Sequence, residues 1–464
     1  MTNNLKISYE NKSSIENLDY FSQYISSLSS ILEEYFNHNI ACHFQLLSCN
    51  GYEFNINQNF IATNSIPDKY YNIYSDENDT VNLRFFCNTQ KHSYRENLNE
   101  FYVHLKENPE SPLFFVTPYE NSKKEEDSYV LHAKFEIKIH ITHREMSLSI
   151  LNHSEEFDII NELWEKIEHI SNQNHSFIPQ TKHLRANNNI ALKEDLLKKD
   201  IVDVIEKAKN FMNKGDCYLA NLTSTKELTN SSPFKSIPNF LLAWLKIKSR
   251  YGIYYADENV GLACFSPERF IYSKQRVITT EPIKGTLKSQ AESPTYEDAL
   301  TIWADKKEIY EHTLVVDLMR NDLNLVCKAG SVEVYRPFYA RKAGQLVQMQ
   351  SSVLGILKEN ENLGSCLEKM LPAGSISGTP KKRVCEIITK LENITRGYYT
   401  GVCGVLEKNG DFDSTILIRS VYKGKRGVYC GVGAGITTLS NAVNEYEEFL
   451  IKLNSFLHSI ESSL

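Results

Sequence analysis

The ten cysteines lie scattered from Cys42 to Cys430, and no two stand in C-x-x-C spacing. That excludes a compact zinc site or disulfide framework and fits reduced thiols. No run of about 18 apolar residues occurs, so no segment reads as a membrane span. The opening residues, Met1-Thr2-Asn3-Asn4-Leu5-Lys6, lack the apolar core of a secretory signal. There is no basic excess: 51 Lys and Arg face 58 Asp and Glu, a formal charge of −7, which argues against a general nucleic-acid binder. No glycine spacing matches a P-loop or a dinucleotide fingerprint. No cysteine stands in the nucleophile-elbow context of a glutaminase. These absences leave a small-molecule enzyme, expected to be soluble, unexported and cytoplasmic, without nucleic acid or membrane among its partners.

The 464 residues, 41% of them apolar, suffice for one large or two ordinary domains. Residues 1–175 are rich in Asn, Ser, Tyr and Phe. A helix is expected over Ser14–Asn37, and strands over Ala41–Ser48, Glu53–Thr63, Val81–Phe86 and Leu113–Thr117. Ser128–Ser149 alternates strictly, and a helix follows over Glu155–Ser171. A polar, aperiodic linker covers 176–190. In 191–464, helices are expected at Lys193–Lys214, Pro238–Ser249, Tyr296–Met319, Leu363–Met370, Lys381–Leu391 and Ala442–Ser459. Paired strands lie between them, an α+β pattern rather than a doubly wound parallel one.

One stretch organises this half: Thr279-Thr280-Glu281-Pro282-Ile283-Lys284-Gly285-Thr286, read as a loop after two paired strands. Pro282 stiffens the backbone, and Gly285 lets the chain turn or a ligand come close. A lysine held there can be desolvated, so that its amine becomes neutral and nucleophilic. Glu268 stands in a Ser-Pro-Glu corner between Phe265 and Phe270, where apolar enclosure raises a carboxyl pKa and suits it to donate a proton. Glu308 and Glu311 share one helix face, and Glu445 and Glu448 share another. Two such helices face to face would present four carboxylates, the donor set of a magnesium ion, although chance pairs at this spacing are common. Tyr399, Arg419 and Lys452 are of the types that hold carboxylates. Gly431-Val432-Gly433-Ala434-Gly435 reads as a glycine turn whose N–H groups can meet an anion. Cys403 lies within an expected strand and reads as packing.

These motifs resemble, in order and spacing over roughly residues 190–460, the chorismate-utilising enzymes. The matching segments are Val315–Asp322 behind Glu308 and Glu311, Leu371–Lys381, Thr400-Gly401-Val402 with Ile416–Arg419, and Gly433–Ile436 followed by Glu445–Glu448. The resemblance implies an antiparallel β-sandwich with helices outside, its N-terminal region packed against the rest. It implies chorismate as substrate and Mg²⁺ held by Glu311 and Glu448, with Glu308 and Glu445 beside them. Tyr399, Arg419 and Lys452 would hold the substrate carboxylates, helped by Thr286, Ser375 and the backbone of Gly433, Ala434 and Gly435. Glu268 would protonate the departing C4 hydroxyl.

Within the family, members that add water carry a lysine where this chain has Leu219, so water addition is not expected. Members that form anthranilate carry alanine where this chain has Lys284, and many members have histidine where it has Gln348. Pro-Ile-Lys-Gly-Thr is similar to the branch that forms 4-amino-4-deoxychorismate from chorismate and ammonia through a lysine adduct. In that branch a glutamine amidotransferase subunit supplies the ammonia. Anthranilate formation and an inactive chorismate-binding homologue are the competing expectations.

Overall fold

The computed structural model describes residues 2–8, 27–32, 40–46, 81–94, 98–119, 126–141, 145–152, 165–166, 191–194, 196–229, 237–247, 249–257, 260–289, 295–343, 346–392, 395–424 and 427–461. The expected strand Glu53–Thr63 and the linker 176–190 lie outside these residues. So do most of the expected helices Ser14–Asn37 and Glu155–Ser171, of which 27–32 and 165–166 are helical.

The strands form two antiparallel sheets that branch from one long strand, Ser128–Ile141. Its C-terminal half pairs with Glu145–Asn152, which in turn pairs with Thr2–Ser8. Along its whole length it pairs with Val81–Tyr94. From there the first sheet runs through Ile40–Leu46, Tyr251–Ala256, Gly261–Cys264, Ser420–Gly424, Gly427–Ile436, Leu219–Glu227 and Gly378–Thr379. The N-terminal half of Ser128–Ile141 instead leads to Leu113–Thr117 and the second sheet. That sheet runs through Val402–Leu406, Phe412–Ile416, Arg269–Lys274, Val277–Glu281 and Leu346–Ile356, and the last also pairs with Ile283–Lys288 and Glu333–Ala343.

Side-chain alternation sorts each strand between two cores. Phe86, Ile253, Tyr255, Leu262, Cys264, Cys403 and Val405 fill the space between the sheets. Their neighbours Phe85, Tyr254 and Ala263 face outward onto the helices Lys198–Asn213, Ile237–Ile247, Lys381–Leu391 and Ala442–Glu461. Val402 and Leu406 face the opposite way, onto Leu98–His104, Lys306–Val326 and Leu363–Met370. This is the expected α+β sandwich with helices outside. Cys403 is packing, as expected: it is fully buried with a free thiol.

Several local expectations are corrected. The expected helix Tyr296–Met319 is two helices, Tyr296–Ala304 and Lys306–Val326, broken at Asp305. The Asp305 carboxylate accepts from the backbone N–H of Lys307 and Glu308, so the break is also a cap that starts the second helix. The expected strand Ser414–Lys423 divides into Phe412–Ile416 and Ser420–Gly424, with Arg419 in left-handed backbone (φ 51°) between them. The loop expected around Lys284 is a strand, Ile283–Lys288. The glycine turn expected before the last helix is extended strand, Gly427–Ile436, because it pairs residue for residue with Leu219–Glu227.

Candidate active site

Lys284 sits where the second sheet meets the helices. Its strand runs beside Leu346–Ile356, and the register slips between Lys284 and Thr286 at Gly285, whose φ is 79°. A side chain at 285 would also lie 3.3 Å from Glu308 Oε2 and from Met349 Cε. Glycine therefore serves both backbone shape and close approach. The bulge aims the half-buried Lys284 amine at the first sheet. Nζ lies 3.1 Å from the point where a Cβ on Gly435 would stand, with Leu219 Cδ1 at 3.3 Å and Glu311 Oε2 at 3.5 Å from the same point. Gly435 thus forms a floor on which the lysine, the glutamate and an apolar wall converge. The same logic applies upstream, where the Tyr399 ring occupies the space beside Gly431. These glycines keep a flat strand clear of side chains rather than making a turn.

Around Lys284 stand four carboxyl groups and one imidazole, all within reach of its charge. Glu268 is buried; desolvation raises its carboxyl to about 7, although the Ser375 hydroxyl and the Lys284 charge pull it down. Its backbone is fixed by Ser266, whose Oγ accepts the Glu268 N–H at 3.2 Å, and by Thr415, whose hydroxyl donates to the Glu268 carbonyl at 2.7 Å. Glu311 is 6% exposed and is also raised to about 7, by burial and by the nearby charges of Glu308 and Glu445, against the pull of Lys284 and Lys307. Its Oε1 makes no hydrogen bond. Burial raises the Glu308 carboxyl too, and Glu448 adds to that. Burial would raise Glu448, but Lys452 at 2.5 Å, with Lys307 and Lys284, holds it below the usual value.

The helix N-termini bring these carboxylates together as the spacing implied, Glu308 and Glu311 from one helix and Glu445 and Glu448 from the other. Two neighbours were not legible as site residues. Lys307 reaches between the helices, with Nζ 2.7 Å from Glu445 Oε1 and 3.8 Å from Glu311 Oε1. Its spacing of four from Glu311 was the available signal. His312 is fully buried beside Lys284, with Nε2 paired to Ser351 Oγ at 2.7 Å. Burial and the Lys284 charge push this imidazole down to about 3, so it is neutral, and its Nδ1 has no hydrogen-bond partner.

Among the described residues, no three His, Cys, Asp or Glu side chains converge on a single point. The donor chemistry nevertheless fits a hard dication: four carboxylates from two helices stand close enough that their charges help to raise Glu308 and Glu311, and one buried oxygen lacks a partner.

Of the residues expected to hold substrate, Ser375 adjoins Glu268, Lys452 adjoins Glu448, and Tyr399 packs beside Gly431 on the strand of Gly435. Arg419 is half-buried, and burial alone lowers its guanidinium pKa; no ion pair joins it among the described residues. An unpaired, partly desolvated guanidinium is suited to an incoming carboxylate. Tyr399 is buried, and burial pushes its phenol up. Ser375 lies in the turn Gly374–Ile376, hydrogen-bonded to Glu268. Arg396, fully buried on Glu392 at 2.8 Å, donates to the Ile376 carbonyl at 2.8 Å and to the Asn221 carbonyl at 2.7 Å. It thereby ties the Ser375 turn to the strand opposite Gly435. Lys452 pairs with Glu448 and reaches the Gly433 carbonyl at 3.5 Å. Thr286 is exposed, and its hydroxyl meets Gln348 Nε2 at 3.5 Å.

Known proteins resemble this chain over much of its length. A protein named "PabA-like" from Haemophilus influenzae is 37% identical over 246 residues, 52% of this chain and 71% of that one. Anthranilate synthase component 1 of Acetivibrio thermocellus is 33% identical over 280 residues, 60% of this chain and 56% of that one. Aminodeoxychorismate synthase component 1 of Klebsiella aerogenes is 35% identical over 259 residues, 54% of this chain and 56% of that one. The chain thus matches little more than half the length of the two named synthases. The crystal structure of anthranilate synthase component I from Streptococcus pneumoniae superposes with a TM-score of 0.64 at 21% identity, covering 89% of this chain and 92% of that one, which bears on the fold. The family model of the chorismate binding enzymes matches residues 58–458, and the chain belongs to that family.

Proposed function

We propose that this chain is an aminodeoxychorismate synthase, converting chorismate and ammonia to 4-amino-4-deoxychorismate, the precursor of 4-aminobenzoate and folate. The observation that carries the reading is the Lys284 amine, converging with Glu311 over Gly435 and electrostatically coupled to the protonatable Glu268. Relatives named for anthranilate formation match at similar identity, so overall similarity does not choose between the two. Lys284 and Gln348 favour amination at C4.

In this reading, the neutral Lys284 amine attacks C2 of chorismate. Both ring double bonds shift, and the C4 hydroxyl leaves as water on a proton from Glu268. Ammonia then adds at C4 and expels the lysine from C2. At neutral pH a carboxyl titrating near 7 is partly protonated, as an acid must be. The Lys284 charge restrains the Glu268 carboxyl from rising further. A neutral amine at Lys284 would lift that restraint and favour the protonated form of the acid. Arg419, Tyr399 and Lys452 hold the substrate carboxylates, with Thr286, Ser375 and the backbone of Gly433, Ala434 and Gly435 completing the surface. Leu219, buried against the Gly435 floor, keeps a water-activating base away from C2. Mg²⁺, when held by Glu311 and Glu448 with Glu308 and Glu445 beside them, would neutralise substrate carboxylate charge.

Ammonia would come from a separate glutamine amidotransferase subunit. Supplied with chorismate, Mg²⁺ and ammonium, the purified chain should form 4-amino-4-deoxychorismate, while glutamine in place of ammonium should give no turnover. Anthranilate as the product would replace this reading with the anthranilate synthase one. Efficient use of glutamine by the chain alone would remove the partner.

A further inference from the structure

Lys307 is out of place among groups that would bind a metal. It stands one helical turn before Glu311 and reaches across to the last helix, where its Nζ donates to Glu445 Oε1 at 2.7 Å. The Glu311, Glu308 and Glu448 carboxylates feel the same charge. Among the described residues this ammonium thus bridges the two helices of the acidic ring, while Lys452 pairs with Glu448 and the Lys284 charge also reaches Glu308, Glu311 and Glu448. The bridge is incomplete. A tethered ammonium offers three N–H donors and one charge, and it leaves Glu311 Oε1 without a hydrogen bond. It also stands between Glu311 and Glu445, two of the carboxylates a dication would draw together. A second cation placed among these groups would repel it strongly at such short range. The Lys307 side chain is a third exposed, so it has a way out towards solvent.

We infer that Lys307 is the resident counter-cation of the acidic ring, and that it and a divalent metal ion exclude each other there. The ion gains the carboxylates only as the Lys307 ammonium leaves Glu445. Lys307 then offsets part of the ring's negative charge when the metal is absent, and part of the metal's binding energy goes into displacing the lysine. This inference rests on the magnesium reading above.

The test uses Mn²⁺ as the probe and the full chain without chorismate, with free ion measured by electron paramagnetic resonance. Lys307→Met removes the competing charge and should bind Mn²⁺ about tenfold or more tightly than the parent. Lys307→Arg keeps the charge and should show no gain. Without divalent ions, Lys307→Met should melt below the parent, and Mn²⁺ should raise its melting temperature by more than it raises the parent's. If the parent binds Mn²⁺ and Lys307→Met binds it equally or more weakly, Lys307 only orients Glu445; the inference fails while the metal reading stands. If none of the three chains binds Mn²⁺, both fail.

Discussion

Replacing Glu268 by Gln isolates the cost of keeping an acid in an apolar corner. The substitution preserves shape and removes the ionisable proton. Burial raises the carboxyl from an ordinary 4.5 to about 7, a difference of about two and a half units. At 1.36 kcal/mol per unit this corresponds to about 3 kcal/mol, an upper figure because solvent and Lys284 relax around the charge. Between those two values the folded chain retains a proton that the unfolded chain has released, so stability falls as pH rises through this window. The contribution is fully present below 4.5 and lost above about 7. Glu268→Gln should therefore match the parent in stability near pH 4.5. Near pH 8 it should exceed the parent by up to about 3 kcal/mol, read as a few degrees of melting temperature. Its amination rate should fall by roughly 10²–10⁴-fold, the usual loss for a general acid. Melting curves of both chains across this pH range, paired with turnover, provide the assay. A stability gap that does not change with pH would refute the argument that Glu268 is held protonated by burial.

Gly435→Ala places a methyl 3.1 Å from Lys284 Nζ, the far end of a flexible chain that can yield. Stability should change by less than about 1 kcal/mol, while misplacement of the amine should lower kcat roughly 10–100-fold. An unchanged kcat would place the reacting amine elsewhere. Arg419→Met removes an unpaired, half-buried guanidinium. The KM for chorismate should rise roughly 10–100-fold with kcat changed less, and the ligand-free chain should be no less stable. A variant with an unchanged KM would remove Arg419 from the substrate surface.

Much of this site was legible because its chemistry follows local spacing. Glu308 with Glu311, and Glu445 with Glu448, lie at helical intervals, and both helices formed. Phe265 and Phe270 flanking Glu268 signalled its enclosure, and burial does raise that carboxyl. What escaped depends on partners distant in sequence. Glycines in a row read as a turn, yet Gly427–Ile436 is held straight by a neighbouring strand some two hundred residues earlier. Their lack of side chains matters only because Tyr399 and Lys284 come to rest there. The loop reading of Lys284 failed in the same way, since Pro282 and Gly285 read as turn residues but the second is a bulge against Leu346–Ile356. Arg419 breaks its strand through a left-handed backbone that no propensity signals in arginine. Lys307 makes its bridge only because the last helix docks beside its own, which local spacing does not signal.

The account turns on Lys284 as a nucleophile. The most direct measurement is intact-protein mass spectrometry after rapid quenching of the chain with chorismate and Mg²⁺ in the absence of ammonia. The mass should increase by that of chorismate less one water, the peptide containing Lys284 should carry the adduct, and Lys284→Ala should lack it while still binding chorismate. Normal amination at C4 by Lys284→Ala, with no adduct on the parent chain, would contradict the account and leave Lys284 an electrostatic role.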